Sequence, residues 1–130
     1  MYFTSNRFFY DTYKIYDVRE MAELAMITDV MIHVQTTDQL SSAMLSHMYN
    51  GNIVIAGAWL PYVWLQDNNV FFLKVGKIPE LTSCLEKVVI NLDDYKKQCT
   101  GNPDIIYQLS SWENASAMWM RMYTTLLKEN

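Results

Sequence analysis

Apolar positions along this chain change period repeatedly, between the spacing of a helix face and the unbroken runs of a buried strand. After an aromatic-rich start, "MYFTSNRFFYDTY", with positions 8–10 long enough for a short strand, "DVRE" reads as a helix start. Asp17 can cap it, and Glu20 sits at the capping-box offset. Met21, Leu24, Ala25 and Thr28 then fall on one face. "DVMIHVQ" is short, apolar and β-branched, as expected of a parallel strand covered on both sides. Positions 36–38 form the loop after it, and positions 39–49 a helix with Leu40, Ala43, Met44, His47 and Met48 on one stripe.

Asn50-Gly51 stops that helix, since glycine readily takes the left-handed conformation after a last turn. "NIVIAG" is the next buried strand and "AWLPY" its exit loop. "VWLQDNN" reads as a short helical piece, and positions 70–75, "VFFLKV", as another strand. The run "IPELTSCLEKVVINL" is helical, with Leu81, Leu85, Val88, Val89 and Leu92 on one face and Pro79 in its first turn. A further helical stretch, 93–108, is broken by Gly101 and Pro103. "SSWENASAMWMRMYTTLLKEN" predicts a long final helix with a Ser110/Glu113 capping box. Its apolar face comprises Trp112, Ala115, Trp119, Met122, Tyr123 and Leu126.

Strands that alternate with helices imply crossover connections and a parallel sheet. The expected fold is therefore α/β, a small parallel sheet of three strands, with a fourth near the N-terminus, and flanking helices. Residues 1–130 form one domain, long enough to bury a core.

Composition sharpens this picture by exclusion. Hydrophobic residues make up 51% and charged residues 18%, which argues against disorder. A net charge of -4 argues against a general nucleic-acid binder, which would need a basic face. No signal peptide is evident, and "AGAWLPYVWL", the most apolar run, is too short to span a bilayer and holds Pro61. A cytoplasmic protein is expected. Cys84 and Cys99 are far apart and read as reduced thiols rather than as a disulfide or zinc motif. The Asn114 sequon falls inside a predicted helix.

Chemistry concentrates after the first apolar strand, because ligands of open parallel sheets bind outside the carboxyl ends of the strands. Amides of Gln39, Leu40, Ser41 and Ser42 at a helix N-terminus, with hydroxyls of Thr37, Ser41 and Ser42, suit a phosphate. Asp38 is negative at the same end, so it either caps the helix or accepts hydrogen bonds from sugar hydroxyls. His33, in a strand, and His47, on an apolar stripe, read as packed and hydrogen-bonded, with no third ligand at metal spacing. No cofactor is expected, and no Gly-rich phosphate loop or Ser-His-Asp order occurs.

The order of these motifs resembles the C-terminal part of the nucleotide-binding domain of GT-B-type glycosyltransferases, the glycosyltransferase group 1 class. That family has a glutamate in a loop after a strand, a second glutamate eight positions on along a helix, then a glycine and an apolar strand. Here the glycine matches Gly51 and the first acid matches Asp38, thirteen positions earlier. "NIVIAG" takes the place of the apolar strand, and "SSWENASAMWMRMY" that of the family's "SW" and aromatic-rich terminal helix. "DVMIHVQTTDQLSSAM" and "WLPY" are similar to a bacterial subgroup, and the likeness runs from about position 13 to position 123.

The resemblance implies a Rossmann-like half of a GT-B C-terminal domain that binds a nucleotide-sugar such as a UDP-sugar. Asp38 would contact the donor sugar, and the amides of Gln39 to Ser42 would face its diphosphate. The second glutamate falls at Ser46, which offers one hydrogen bond to the ribose where a carboxylate offers two. The family's basic residues for the diphosphate have no counterpart, since Arg7, Lys14 and Arg19 are the only early cations. The implied activity is retaining glycosyl transfer, completed by an N-terminal acceptor domain or partner subunit, with the isolated chain inactive. The alternative is a non-catalytic, transferase-like domain that binds a partner protein or glycan through Trp59, Tyr62 and Trp64. An exposed sheet edge would also permit a homodimer.

Overall fold

The computed structural model describes residues 17–39 and 41–128. Three strands, β1 (Val30–His33), β2 (Ile53–Gly57) and β3 (Leu73–Val75), form one parallel sheet in the order β1-β2-β3. Helix α1 (Val18–Ile27) precedes β1, α2 (Ser42–Tyr49) joins β1 to β2, and α3 (Val63–Asp67) joins β2 to β3. A 3-10 turn (Ile78–Glu80) then leads into α4 (Leu81–Ile90), α5 (Leu92–Gln98), α6 (Asn102–Ser110) and α7 (Trp112–Lys128). The expected α/β class and small parallel sheet are thus observed. The strand expected at 8–10 lies outside the described residues.

The central strand explains its own sequence. All five residues of β2 are buried, because helices cover both faces. Val54 and Ala56 point into a core with Met44, Leu45, Met48, Leu60, Leu65 and Ile106. Ile53 and Ile55 point the other way, against Val75, Val88, Cys99 and the half-buried Leu81 and Leu85. Period-2 alternation therefore feeds two apolar layers rather than one apolar and one wet face. Cys99 and Cys84 are free thiols, and burial pushes both up from their ordinary pKa.

Helix ends follow local chemistry. Asp17 caps α1, its Oδ1 accepting from Arg19 N at 2.7 Å and Glu20 N at 3.3 Å. Gly51, at φ +71°, closes α2: its N–H donates to Met48 O and the Asn52 N–H to His47 O, the paired bonds of a Schellman ending. Asn52, buried, then donates from Nδ2 to Ala25 O at 2.6 Å and faces His47 Nδ1 at 3.0 Å. Together with Ala25, the one buried residue of α1, it ties α1 to the sheet. Met21 and Leu24 stay largely exposed, so the predicted face of α1 is only partly covered.

Several expected boundaries move, and the helix expected over 78–92 becomes the 3-10 turn and α4, which ends at Ile90. Helix α2 starts at Ser42 rather than at 39, because Ser41 is its cap and accepts from Met44 N at 3.1 Å. The strand expected over 70–75 shortens to Leu73–Val75, since the backbone of Phe71 is taken by a side chain. Asn102 donates from Nδ2 to Phe71 O and accepts from Phe71 N, both at 2.8 Å. The helical stretch at 93–108 resolves into α5 and α6 on either side of Gly101. Finally, α7 is capped by Ser111, which accepts from Asn114 N at 3.2 Å, while Ser110 Oγ bonds back to Ile106 O in α6. No residue of α7 is buried: Trp112, Trp119, Met122, Tyr123 and Leu126 all stay largely exposed. Among the described residues no helix is long and apolar enough to cross a membrane.

Candidate functional site at the carboxyl end of the sheet

Beyond the last residue of β1 the chain runs through an exposed turn at Gln35, Thr36 and Thr37, then folds back at Asp38. His33 ends β1 with its ring 3% exposed, and Tyr62, entering α3, is 2% exposed. A buried imidazole and a buried phenol both need polar partners. Asp38 supplies them. Its Oδ2 accepts from Tyr62 Oη through a short hydrogen bond and lies 2.6 Å from His33 Nε2. Its Oδ1 accepts from the Gln39 amide at 2.8 Å.

These contacts fix protons as well as atoms. With Tyr62 donating to Oδ2, the 2.6 Å approach of His33 is attractive only if Nε2 carries a proton. The phenol bond, then the imidazole and the Gln39 amide, hold the Asp38 carboxyl below its usual range against a partial desolvation that pushes it up. Burial, with the Asp38 charge, pushes Tyr62 up to about 12. The Ser41 amide bonds the phenol and pulls the other way. Tyr62 therefore touches the loop at Asp38 and at the cap of α2.

A second fastening lies above the first. Trp59 Nε1 donates to Gln35 O at 2.8 Å, joining the loop after β2 to the loop after β1. The Trp59 ring crosses Gly57 so closely that a Cβ there would lie 2.5 Å from it. Glycine at the end of β2 is what lets the indole come this close to the strand.

The expected site residues divide accordingly. Asp38 does not cap α2; that role belongs to Ser41, whose Oγ holds Met44 N. Thr37, Gln39 and Ser42 are exposed, and Leu40 lies outside the described residues. The amides of Gln39 and Ser41 have partners in Asp38 and Tyr62. Ser46 lies farther along α2, exposed, in an apolar groove of about 640 Å³ between α1, α2 and α6 with Met21, Leu24, Ala43 and Tyr107. His33 is packed and hydrogen-bonded, as expected. His47 pairs with Asn52, and burial lowers its pKa.

The alternative reading puts Tyr62 on an aromatic surface with Trp59 and Trp64, and for Tyr62 the structure shows packing instead. Its ring is in the core and Trp64 is half-buried, while Trp59 stays 41% exposed. The signal for Tyr62 was its hydroxyl in an apolar segment, which had to find a partner. No group of three His, Cys, Asp or Glu that could hold a metal occurs among the described residues. Comparison with known protein families, curated proteins and solved structures finds no match to this chain.

Proposed function

We propose that this chain is the nucleotide-sugar-binding part of a retaining GT-B-type glycosyltransferase, Rossmann-like in topology, acting with an acceptor-binding domain or partner subunit. One observation carries the reading: Asp38 is held, oriented, at the carboxyl end of a parallel-sheet strand, on the loop leading into α2. Open α/β sheets bind ligands at that edge. A donor such as a UDP-sugar would place its sugar toward Asp38 and its phosphates over Thr37, Ser42 and the first turn of α2. Its ribose would lie toward Ser46. The complete enzyme would move the sugar to a hydroxyl of a sugar or polymer acceptor with retention.

Titration of the chain with UDP, GDP and nucleotide-sugars, followed by backbone amide NMR, tests this. Saturating shifts at positions 37–42 and 46 with one nucleotide are expected. No shift at millimolar ligand would remove the donor-site reading.

A second reading, a non-catalytic transferase-like interaction domain, is favoured by Ser46 standing where the resemblance asks for an acid. The exposed apolar side chains of α7 favour it too. Ser46→Glu separates the two. It strengthens nucleotide binding under the first reading and changes nothing under the second.

A further inference from the structure

We infer that His33 and Tyr62 are positioning residues that hold Asp38 with one acceptor position of its carboxylate turned to an uncharged hydroxyl of the ligand; this rests on the donor-site reading. A carboxylate has about four acceptor positions. Among the described residues three donors reach Asp38: Tyr62 Oη and His33 Nε2 on Oδ2, and the Gln39 amide on Oδ1. Among the described residues one position on Oδ1 is left, and the side chain is 17% exposed.

The two holding groups are better buried than the group they hold. His33 and Tyr62 are 3% and 2% exposed, their rings edge-to-face at 5.9 Å. Neither reaches solvent, so neither touches a ligand; both act through Asp38. Because the phenol also bonds the Ser41 amide, it sets Asp38 in register with the cap of α2. The Trp59 bond to Gln35 O braces the same loop from the other side. A fixed, ionised carboxylate with one open lone pair accepts a hydroxyl and repels a phosphate. The sugar end of a donor fits it, and the diphosphate does not.

The test compares UDP with a UDP-hexose on the full chain, wild type, Tyr62→Phe and His33→Gln, by titration calorimetry. Wild type is expected to bind the UDP-hexose more tightly than UDP. Tyr62→Phe should leave UDP binding within about twofold and reduce the hexose-dependent gain about tenfold. His33→Gln, which keeps an N–H donor, should retain most of the gain. An equal loss for both ligands in Tyr62→Phe, or an unchanged ratio, overturns the inference. Hydrogen exchange of the Gln39 and Ser41 amides in ligand-free protein gives a second readout, and it should quicken in Tyr62→Phe. If wild type binds neither ligand, the donor-site reading falls and the hydroxyl role falls with it. Unchanged amide exchange would then overturn the positioning role as well.

Discussion

Tyr62 and Asp38, 24 residues apart in sequence, meet in a short phenol-to-carboxylate hydrogen bond that pulls their proton affinities in opposite directions. The phenol is raised to about 12 from an unfolded value near 10. Its contribution is therefore complete below pH ~10 and is lost as pH climbs through the folded value. Asp38 is lowered, so its contribution is present above the ordinary carboxylate pKa and is lost as pH falls below it. Urea denaturation across pH should show a decline of about 2 kcal/mol between roughly pH 10 and 12 that Tyr62→Phe abolishes. An alkaline limb of equal size in Tyr62→Phe would refute the pairing.

His47 sets a separate acid limb. Its Nδ1 accepts from the Asn52 amide, which needs the neutral ring, and burial lowers its pKa. Lowered means that the stabilisation is present above the unfolded value of about 6.5 and lost as pH falls through the folded one. Stability should begin to fall below pH ~6.5, before the carboxylates titrate. His47→Gln should flatten that first segment and leave the Tyr62 limb untouched.

The sequence made the scaffold readable where physics was local. Two continuous apolar runs, a glycine after α2 and proline at the start of a helix are decided within a few residues, and they placed β1, β2 and most of α2 and α4. Tertiary contacts decided the rest. Nothing local says that Asn102 will satisfy both backbone groups of Phe71 from 31 positions away and so shorten β3. Nor does periodicity distinguish Ser110 from Ser111 as the cap of α7. The apolar stripe of α7 was legible, but its periodicity carried no information on whether a partner surface exists within the chain. At the site, Asp38 and its loop were visible as chemistry, whereas its pairing with Tyr62 depends on how the loop after β2 returns over the sheet.

Asn102 gives a direct stability test. Asn102→Ala removes both side-chain bonds to the backbone of the half-buried Phe71. The expected cost is about 2–4 kcal/mol in urea unfolding with the slope unchanged. Asn102→Asp should fare no better, because it keeps the acceptor for Phe71 N but sets a carboxylate against Phe71 O. A loss under ~0.5 kcal/mol in Asn102→Ala would mean that the clamp is dispensable.

Gly57→Ala probes the bracing of the loop. The new methyl would stand 2.5 Å from the Trp59 ring, so the indole must swing away and release Gln35 O. A cost of about 1–3 kcal/mol is expected. Tryptophan fluorescence should shift to the red, with faster exchange at the amides of 35–39. Unaltered fluorescence would show that the indole holds its place by other means.

The strand at the centre of the sheet has one more consequence, and it concerns cooperativity. β2 serves two apolar layers back to back, with Val54 and Ala56 on one side and Ile53 and Ile55 on the other. Its hydrogen bonds to β1 and β3 lie in the plane between them. Peeling α4 and α5 away would wet the ladder that also supports the layer under α2 and α6, so neither layer can melt by itself. Amides of Ile53 to Gly57 should exchange only through global unfolding, at one shared free energy, however mobile α1 and α7 are at the periphery.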